Sequence, residues 1–355
     1  MAVKIIRQQK KIALLGSATS AAALRTGLER APSALRAAGL ADRLKATGFE
    51  VADLGDTATY NFQTDDEHPR ARNVSAVLKS LNDLRPRVEV AVKSGALPLI
   101  LSGDCISVLA VIAGARRYFR NVSLIYVDRD ADLHMPASTP SGSVDGMVIS
   151  HIIGRGAPEL VRFWGEPPLV RGPDIALFGL ERLDPAEEQF LVESPLRRHP
   201  ALEISTVGGA TTARAALERV HVAKNEFVLH FDVDVITGAE FPWTNSPGDG
   251  GLTLQEVRDA LRVFASQPNL AALVVAGYNP ELDPEGQGAR TLVDLLTEAL
   301  ASRIETGSGD APAETVSAPA TSSPVSAGGV QAEPVPSPEA AGDSPSPADP
   351  DSITS

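Results

Sequence analysis

From Met1 to about Arg303, short apolar runs alternate with stretches whose apolar positions recur at helical spacing. Ile12–Gly16 reads as a first buried strand. A helix opens at Ala31-Pro32, with proline suited to its first turn, and runs to about Thr47. Gly48–Asp56 reads as a strand and turn, and Asn73–Ser94 as a long helix bent at Pro86, which lacks an amide donor. Further strands are expected at Leu97–Leu101, Val122–Asp128, Ile175–Gly179, Glu226–Asp232 and Ala272–Gly277. Buried strands alternating with amphipathic helices predict an α/β fold, a mostly parallel sheet flanked by helices. No repeat and no linker interrupts this region, so one domain is expected over residues 1–303.

Composition changes the picture at the C-terminus. The chain has 355 residues, 43% of them hydrophobic, and a formal net charge of −13. From Thr306 to Ser355 there are seven acids, no Lys or Arg, no aromatic residue and nine of the 27 prolines. Without that segment the net charge is −13 + 7 = −6. Such a composition does not offset its ordering entropy, so residues 304–355 read as a disordered acidic tail. The overall charge argues against a nucleic-acid partner, which needs a basic footprint. No uncharged apolar run reaches about 18 residues, so no membrane span is expected. Met1–Arg7 is basic but lacks the apolar core and cleavage site of a signal peptide. Cys105 is the one cysteine, which excludes an intrachain disulfide and fits a cytoplasmic location.

The candidate chemistry sits where strands end, the place where open parallel sheets bind ligands. Asp128, Asp130 and Asp132 follow one strand, and His230, Asp232 and Asp234 repeat the spacing on another. If each strand continues, every set points to one side. Converging buried carboxylates raise one another's pKa unless a cation neutralises them. Oxygen ligands select hard ions, magnesium, calcium or manganese, and imidazole or thiolate shifts the choice towards transition metals. The opposing reading of a single D-x-D is a solvated turn.

Several motifs carry a resemblance. Gly27–Leu40 followed by Asp53-Leu54-Gly55-Asp56, Ser102-Gly103-Asp104-Cys105, Val127-Asp128-Arg129-Asp130-Ala131-Asp132, Ser141–Met147, Phe231-Asp232-Val233-Asp234, Gly250-Gly251-Leu252-Thr253 and Asn279-Pro280 occur in this order. Together they resemble the arginase/agmatinase (ureohydrolase) family from about Ile12 to Leu296. The resemblance implies a three-layer arginase-like fold and a homo-oligomer, trimer or hexamer. It also implies a small-molecule substrate and manganese, as one or two ions or another divalent metal. It implies Asp128, Asp132, Asp232 and Asp234 as retained metal ligands, with Cys105 and Asp130 standing where the family has histidines. Asp145 stands at the family's proton-shuttling histidine, and Asp145 and Asp132 are the expected catalytic carboxylates. His134, Ser141, Ser143 and Asp184 are the expected substrate contacts.

Other readings stay open for individual residues. Cys105 fits a ligand or a small buried side chain. His230 fits a metal ligand, a partner to an outer carboxylate, or a structural histidine. His134 fits the pocket or a surface loop, Asp184 also fits a helix N-cap, and Asp104 fits a backbone-orienting role. Gly277 replaces the family's guanidinium-holding glutamate, and Thr237-Gly238 stands where the family has Asp-Pro. A charge-assisted bidentate contact does the positioning in such a site, so ordinary arginine or agmatine hydrolysis is not expected. Two functions follow: a metal-dependent hydrolase of a C–N bond in an amidine, modified guanidine or amide, or a catalytically silent arginase-like protein acting as partner subunit or ligand-binding module.

Overall fold

The fold was read from a computed structural model, which describes residues 5–222 and 224–306. Eight strands form one sheet: β1 Lys11–Ser17, β2 Glu50–Asp56, β3 Leu97–Ser102, β4 Val122–Val127, β5 Ile175–Leu180, β6 Arg197–Pro200, β7 Glu226–Asp232 and β8 Leu270–Ala276. Their order is β2-β1-β3-β8-β7-β4-β5-β6, and every pairing is parallel. The chain places β3 and β4 apart, and β7 and β8 return to fill the gap between them.

Alternation along β1 shows how the layers are built. Ile12 and Leu14 enter one core cluster, and Ala13 and Leu15 the other. Successive side chains of a strand point to opposite faces, so both faces of the sheet are dry. Helices Val74–Lys93 and Val108–Arg116 contribute to the second cluster. Helices Ala31–Ala37, Leu254–Ala265 and Gln287–Thr306 contribute to the first. The α/β expectation of a parallel sheet between helical layers is met.

Three details differ from the sequence reading. The helix expected to run unbroken to Thr47 is two, Ala31–Ala37 and Leu40–Ala46, because Gly39 adopts φ 87°. Its N–H donates to the Arg36 carbonyl, closing the first helix in the left-handed conformation that glycine adopts without strain. Strand β6 was not foreseen, because Arg197-Arg198-His199-Pro200 is an edge strand without an apolar signature. The last helix reaches Thr306, three residues beyond the expected boundary at Arg303. The remainder of the expected acidic tail lies outside the described residues.

Candidate metal centre

Parallel pairing aligns the carboxyl ends of β3, β8, β7 and β4 side by side at the middle of the sheet. Each end delivers part of one group. Past β3 come Asp104 and Cys105, past β4 the Asp128–Asp132 segment, at the end of β7 His230 to Asp234, and past β8 Gly277. Register sets Tyr126 against His230 and Val127 against Phe231, so the two aspartate segments leave the sheet at the same level.

The strands do not continue through the aspartates, as strict alternation would require. Strand β4 stops at Val127, and the Asp128 carboxylate accepts a hydrogen bond from the Asp130 amide at 2.7 Å. Strand β7 stops at Asp232, whose Oδ1 accepts from the Asp234 amide at 2.8 Å, placing Asp234 on a short helical turn. A carboxylate bonding the amide two residues ahead competes with the sheet ladder and curls the chain. Asp132 completes the first segment at φ 50°. The segments nonetheless converge on one cavity of about 260 Å³.

That cavity is lined by Cys105, Asp128, Asp130, Asp132, Asp232 and Asp234, all six of the expected ligand positions. Ser141, Ser143 and Asp145 line it as well. The Cys105 thiol donates to Asp232 Oδ2 at 2.6 Å, and the Tyr126 hydroxyl donates to Asp132 Oδ2. Asp145 Oδ1 accepts from the Cys105 and Ile106 amides at 2.9 and 3.0 Å. The Ser143 hydroxyl donates to the Ala22 carbonyl at 2.7 Å. Asp104 serves the backbone, accepting from the Ala22 amide at 3.1 Å and the Thr19 hydroxyl at 3.0 Å. Burial lifts its carboxyl to about 6.

The electrostatics follow from packing carboxylates together away from water. Burial first, then Asp132 and Asp234, holds Asp128 well above the usual carboxylate range. Burial and Asp130 do the same to Asp132, and burial and Asp104 to Asp145. Burial and Asp232 raise Asp234, opposed by Arg129 and Arg182. The Cys105 thiol is pushed up by burial and by Asp232.

His134 and Asp184, expected as substrate contacts, do not line the cavity. Asp184 caps the helix Pro185–Glu193, its carboxylate accepting from the Glu187 amide at 2.8 Å. Glu187 returns the contact to the Asp184 amide, a reciprocal box that satisfies two helix-end donors. His134 stands 3.4 Å from Asp184. Sequence reasoning missed the arginines. Arg182 grips Asp130 through two nitrogens, the Nε contact being 2.6 Å. Arg129, only 1% exposed, donates to the Ser246 carbonyl and lies 3.9 Å from Asp234. Alternation would have turned Arg129 away from the aspartates; the signal available was a lone cation inside an acidic motif. Arg25 also lines the cavity.

Gly277 has φ 86°, and a Cβ built on it would fall 2.2 Å from Asp232 Oδ1. A side chain at this position would therefore require the Asp232 carboxylate to move.

Comparisons with known proteins bear on the family and the fold. The family model described as "Arginase family" matches residues 10–302. The arginase of Brevibacillus brevis is 28% identical over 300 residues, covering 83% of this chain and 99% of that protein. The arginase of Bacillus caldovelox is 26% identical over 289 residues, covering 81% and 97% respectively. The crystal structure of the B. caldovelox enzyme superposes with a TM-score of 0.76 at 25% identity, over 82% of this chain and 98% of that one. Formimidoylglutamase of Bacillus subtilis shares the fold, with a TM-score of 0.67 at 20% identity, over 82% of this chain and 87% of that one. With a family model matching residues 10–302 and the same fold in the B. caldovelox structure, this chain belongs to the arginase family.

Proposed function

We propose that the protein is a metal-dependent hydrolase of a C–N bond in an amidine, a modified guanidine or an amide, and not an ordinary arginase. The observation that carries this reading is the convergence of Asp128, Asp132, Asp232 and Asp234 on one cavity at the ends of β4 and β7. The residues fit a divalent cation: buried carboxylates repel one another, and Asp232 meets a thiol proton where a cation would serve it better. Asp128, Asp130 and Asp234 offer oxygens within 4.8 Å of one another, with Arg182 on Asp130 and Arg129 near Asp234, and Cys105, Asp128, His230 and Asp232 form a second such group. When bound there, such an ion would supply Lewis-acid polarisation and lower the pKa of a water.

The chain's own residues supply the rest. Asp145, held through Oδ1 by two amides and lining the cavity, carries a proton to the leaving nitrogen. Asp132, steadied by Tyr126, orients the attacking water. Ser141 and Ser143 line the cavity, Ser143 with its hydroxyl donating to the Ala22 carbonyl, and Ser141 is the one placed to contact a polar end of the substrate. Arg25 and Arg182 line the same cavity, and Gly277 offers no carboxylate. Without a side chain at Gly277 a guanidinium lacks a bidentate clamp there, while Arg25 offers a cation to a negative group of the substrate.

The test is a turnover assay of metal-loaded protein with arginine, agmatine, and neutral or carboxylate-bearing linear amidines and amides. Nitrogen release from the amidine or amide group, with negligible urea from arginine, supports the reading. Urea release from arginine at about 1 per second or faster, an ordinary enzyme rate, overturns it. The second reading, a catalytically silent relative, draws on Arg182 occupying Asp130. It holds if the metal-loaded protein turns over none of the panel.

A further inference from the structure

His230 is completely buried on β7, with its ring stacked on Tyr126 at 4.4 Å between centroids. Among the described residues, neither of its ring nitrogens finds a hydrogen-bond partner. An imidazole has a donor and an acceptor to satisfy, and leaving both orphaned in a dry interior costs free energy. The orphaned imidazole is not in a featureless core. One atom each from Cys105, Asp128, His230 and Asp232 lie within 4.8 Å of one another, and all four residues are buried.

We propose that these four residues hold a single thiophilic transition ion, zinc foremost, with His230 supplying the imidazole that Cys105 no longer does. The inference deepens the metal-dependent reading above by naming the ion and its ligands, and it is tested apart from turnover. The chemistry of the donors carries it. One sulfur, one imidazole nitrogen and two carboxylates form a four-donor set, and thiolate with imidazole selects zinc over manganese. Zinc–ligand distances of about 2.0–2.3 Å give a tetrahedral edge of about 3.3–3.7 Å, so the group needs only a modest contraction to close on an ion. The thiol proton now shared with Asp232 leaves to solvent as the thiolate binds.

The neighbouring oxygen group argues for one ion. Asp128, Asp130 and Asp234 also come within 4.8 Å of one another. Arg182 already engages both oxygens of Asp130, and Arg129 stands 3.9 Å from Asp234. Two guanidinium groups thus take the place that a second cation would fill, and neutralise it without a metal.

The experiment titrates the full-length, metal-stripped protein with cobalt(II), then competes with zinc and with manganese. Expected are one equivalent of cobalt, a near-ultraviolet thiolate-to-cobalt charge-transfer band, and displacement by stoichiometric zinc but not by equal manganese. Cys105→Ser loses the band. His230→Phe keeps the stacked ring but removes its nitrogens, and lowers zinc affinity by more than about 100-fold, the most that a residue outside the ligand set commonly costs. A wild type that binds cobalt without the band overturns the proposal, as does a His230→Phe variant below that threshold or manganese filling two positions as tightly as zinc. If His230→Phe does not fold, X-ray absorption at the zinc edge of the wild type decides. Sulfur plus imidazole scattering sustains the proposal, and oxygen alone sinks it. A protein that binds zinc through sulfur and imidazole but turns over no amidine would remove the hydrolase reading and leave this one standing.

Discussion

Replacing Gly277 by alanine isolates a feature that bears on both stability and specificity. Elsewhere, Gly→Ala at a compatible backbone stabilises a protein by about 0.4–1 kcal/mol, by restricting the unfolded chain. Here the sign reverses for two reasons. At φ 86° an L-residue costs about 1–2 kcal/mol. The new methyl would also stand 2.2, 2.8 and 2.9 Å from Oδ1, Cγ and Oδ2 of Asp232. Asp232 cannot swing aside cheaply, because Oδ1 accepts from the Asp234 amide at 2.8 Å and Oδ2 from the Cys105 thiol at 2.6 Å. Nor does the backbone slide freely, since the Gly277 amide donates to the Gly103 carbonyl at 3.0 Å. Overpacking of this kind costs about 1–3 kcal/mol, giving about 2–5 kcal/mol in total. Urea unfolding of the metal-stripped protein, with wild type and Gly277→Ala compared at unchanged m-value, measures it. A change below about 1 kcal/mol, or a gain in stability, would refute the reasoning and show that the strand end relaxes to admit a side chain.

Other outcomes test the charges around the cavity. Asp128→Asn removes a carboxylate held protonated-prone by burial and by Asp132, so the metal-stripped variant should be at least as stable as wild type at pH 7, while binding most divalent metal poorly; a metal affinity equal to wild type in calorimetry would contradict this. Raised carboxyls stabilise at low pH and lose that contribution as pH rises through their folded values, so the stabilising effect of Asp128→Asn should shrink as the pH is lowered. Arg182→Met should cost about 1 kcal/mol or less, because Arg182 is half-exposed, and should raise the manganese bound per chain by freeing Asp130; unchanged stoichiometry by atomic absorption would count against its cation-replacing role. His151 is buried and titrates near 4 in the folded chain, so the unfolded state takes its proton first as pH falls from about 6.5. His151 should therefore withdraw about 3 kcal/mol between pH 6.5 and 4, against the opposite contribution of the raised carboxyls, and His151→Leu should remove that component, read as the difference between variant and wild type in pH-resolved unfolding.

The sheet was legible in the sequence because its central strands are dry on both faces, which leaves near-continuous apolar runs such as Leu97–Leu101 and Val122–Val127. Edge strand β6 was not, since Arg197-Arg198-His199-Pro200 buries too little to leave a pattern. The candidate ligands were legible because carboxylates that end apolar strands are costly without a purpose. Their geometry was not, because Asp128 and Asp232 bend the chain by bonding amides two residues on, which alternation does not encode. Arg182 reaches Asp130 across 52 positions of sequence, and no local spacing announces such a pair. That a side chain at Gly277 would meet Asp232 was not readable from sequence, because it depends on where the fold fixes Asp232.

The strand order has a consequence for how the chain comes to be folded. The middle of the sheet is supplied by β7 and β8, which emerge last during synthesis, while their neighbours β3 and β4 emerge early. Until residues 226–276 arrive, both of those strands present an unpaired, apolar edge to solvent and to other nascent chains. Pairings this distant in sequence are slow to form and leave aggregation-prone intermediates exposed meanwhile. A ribosome that stalls or terminates before β8 would therefore release a chain with its sheet split open, and such truncated products belong to the chaperones and proteases.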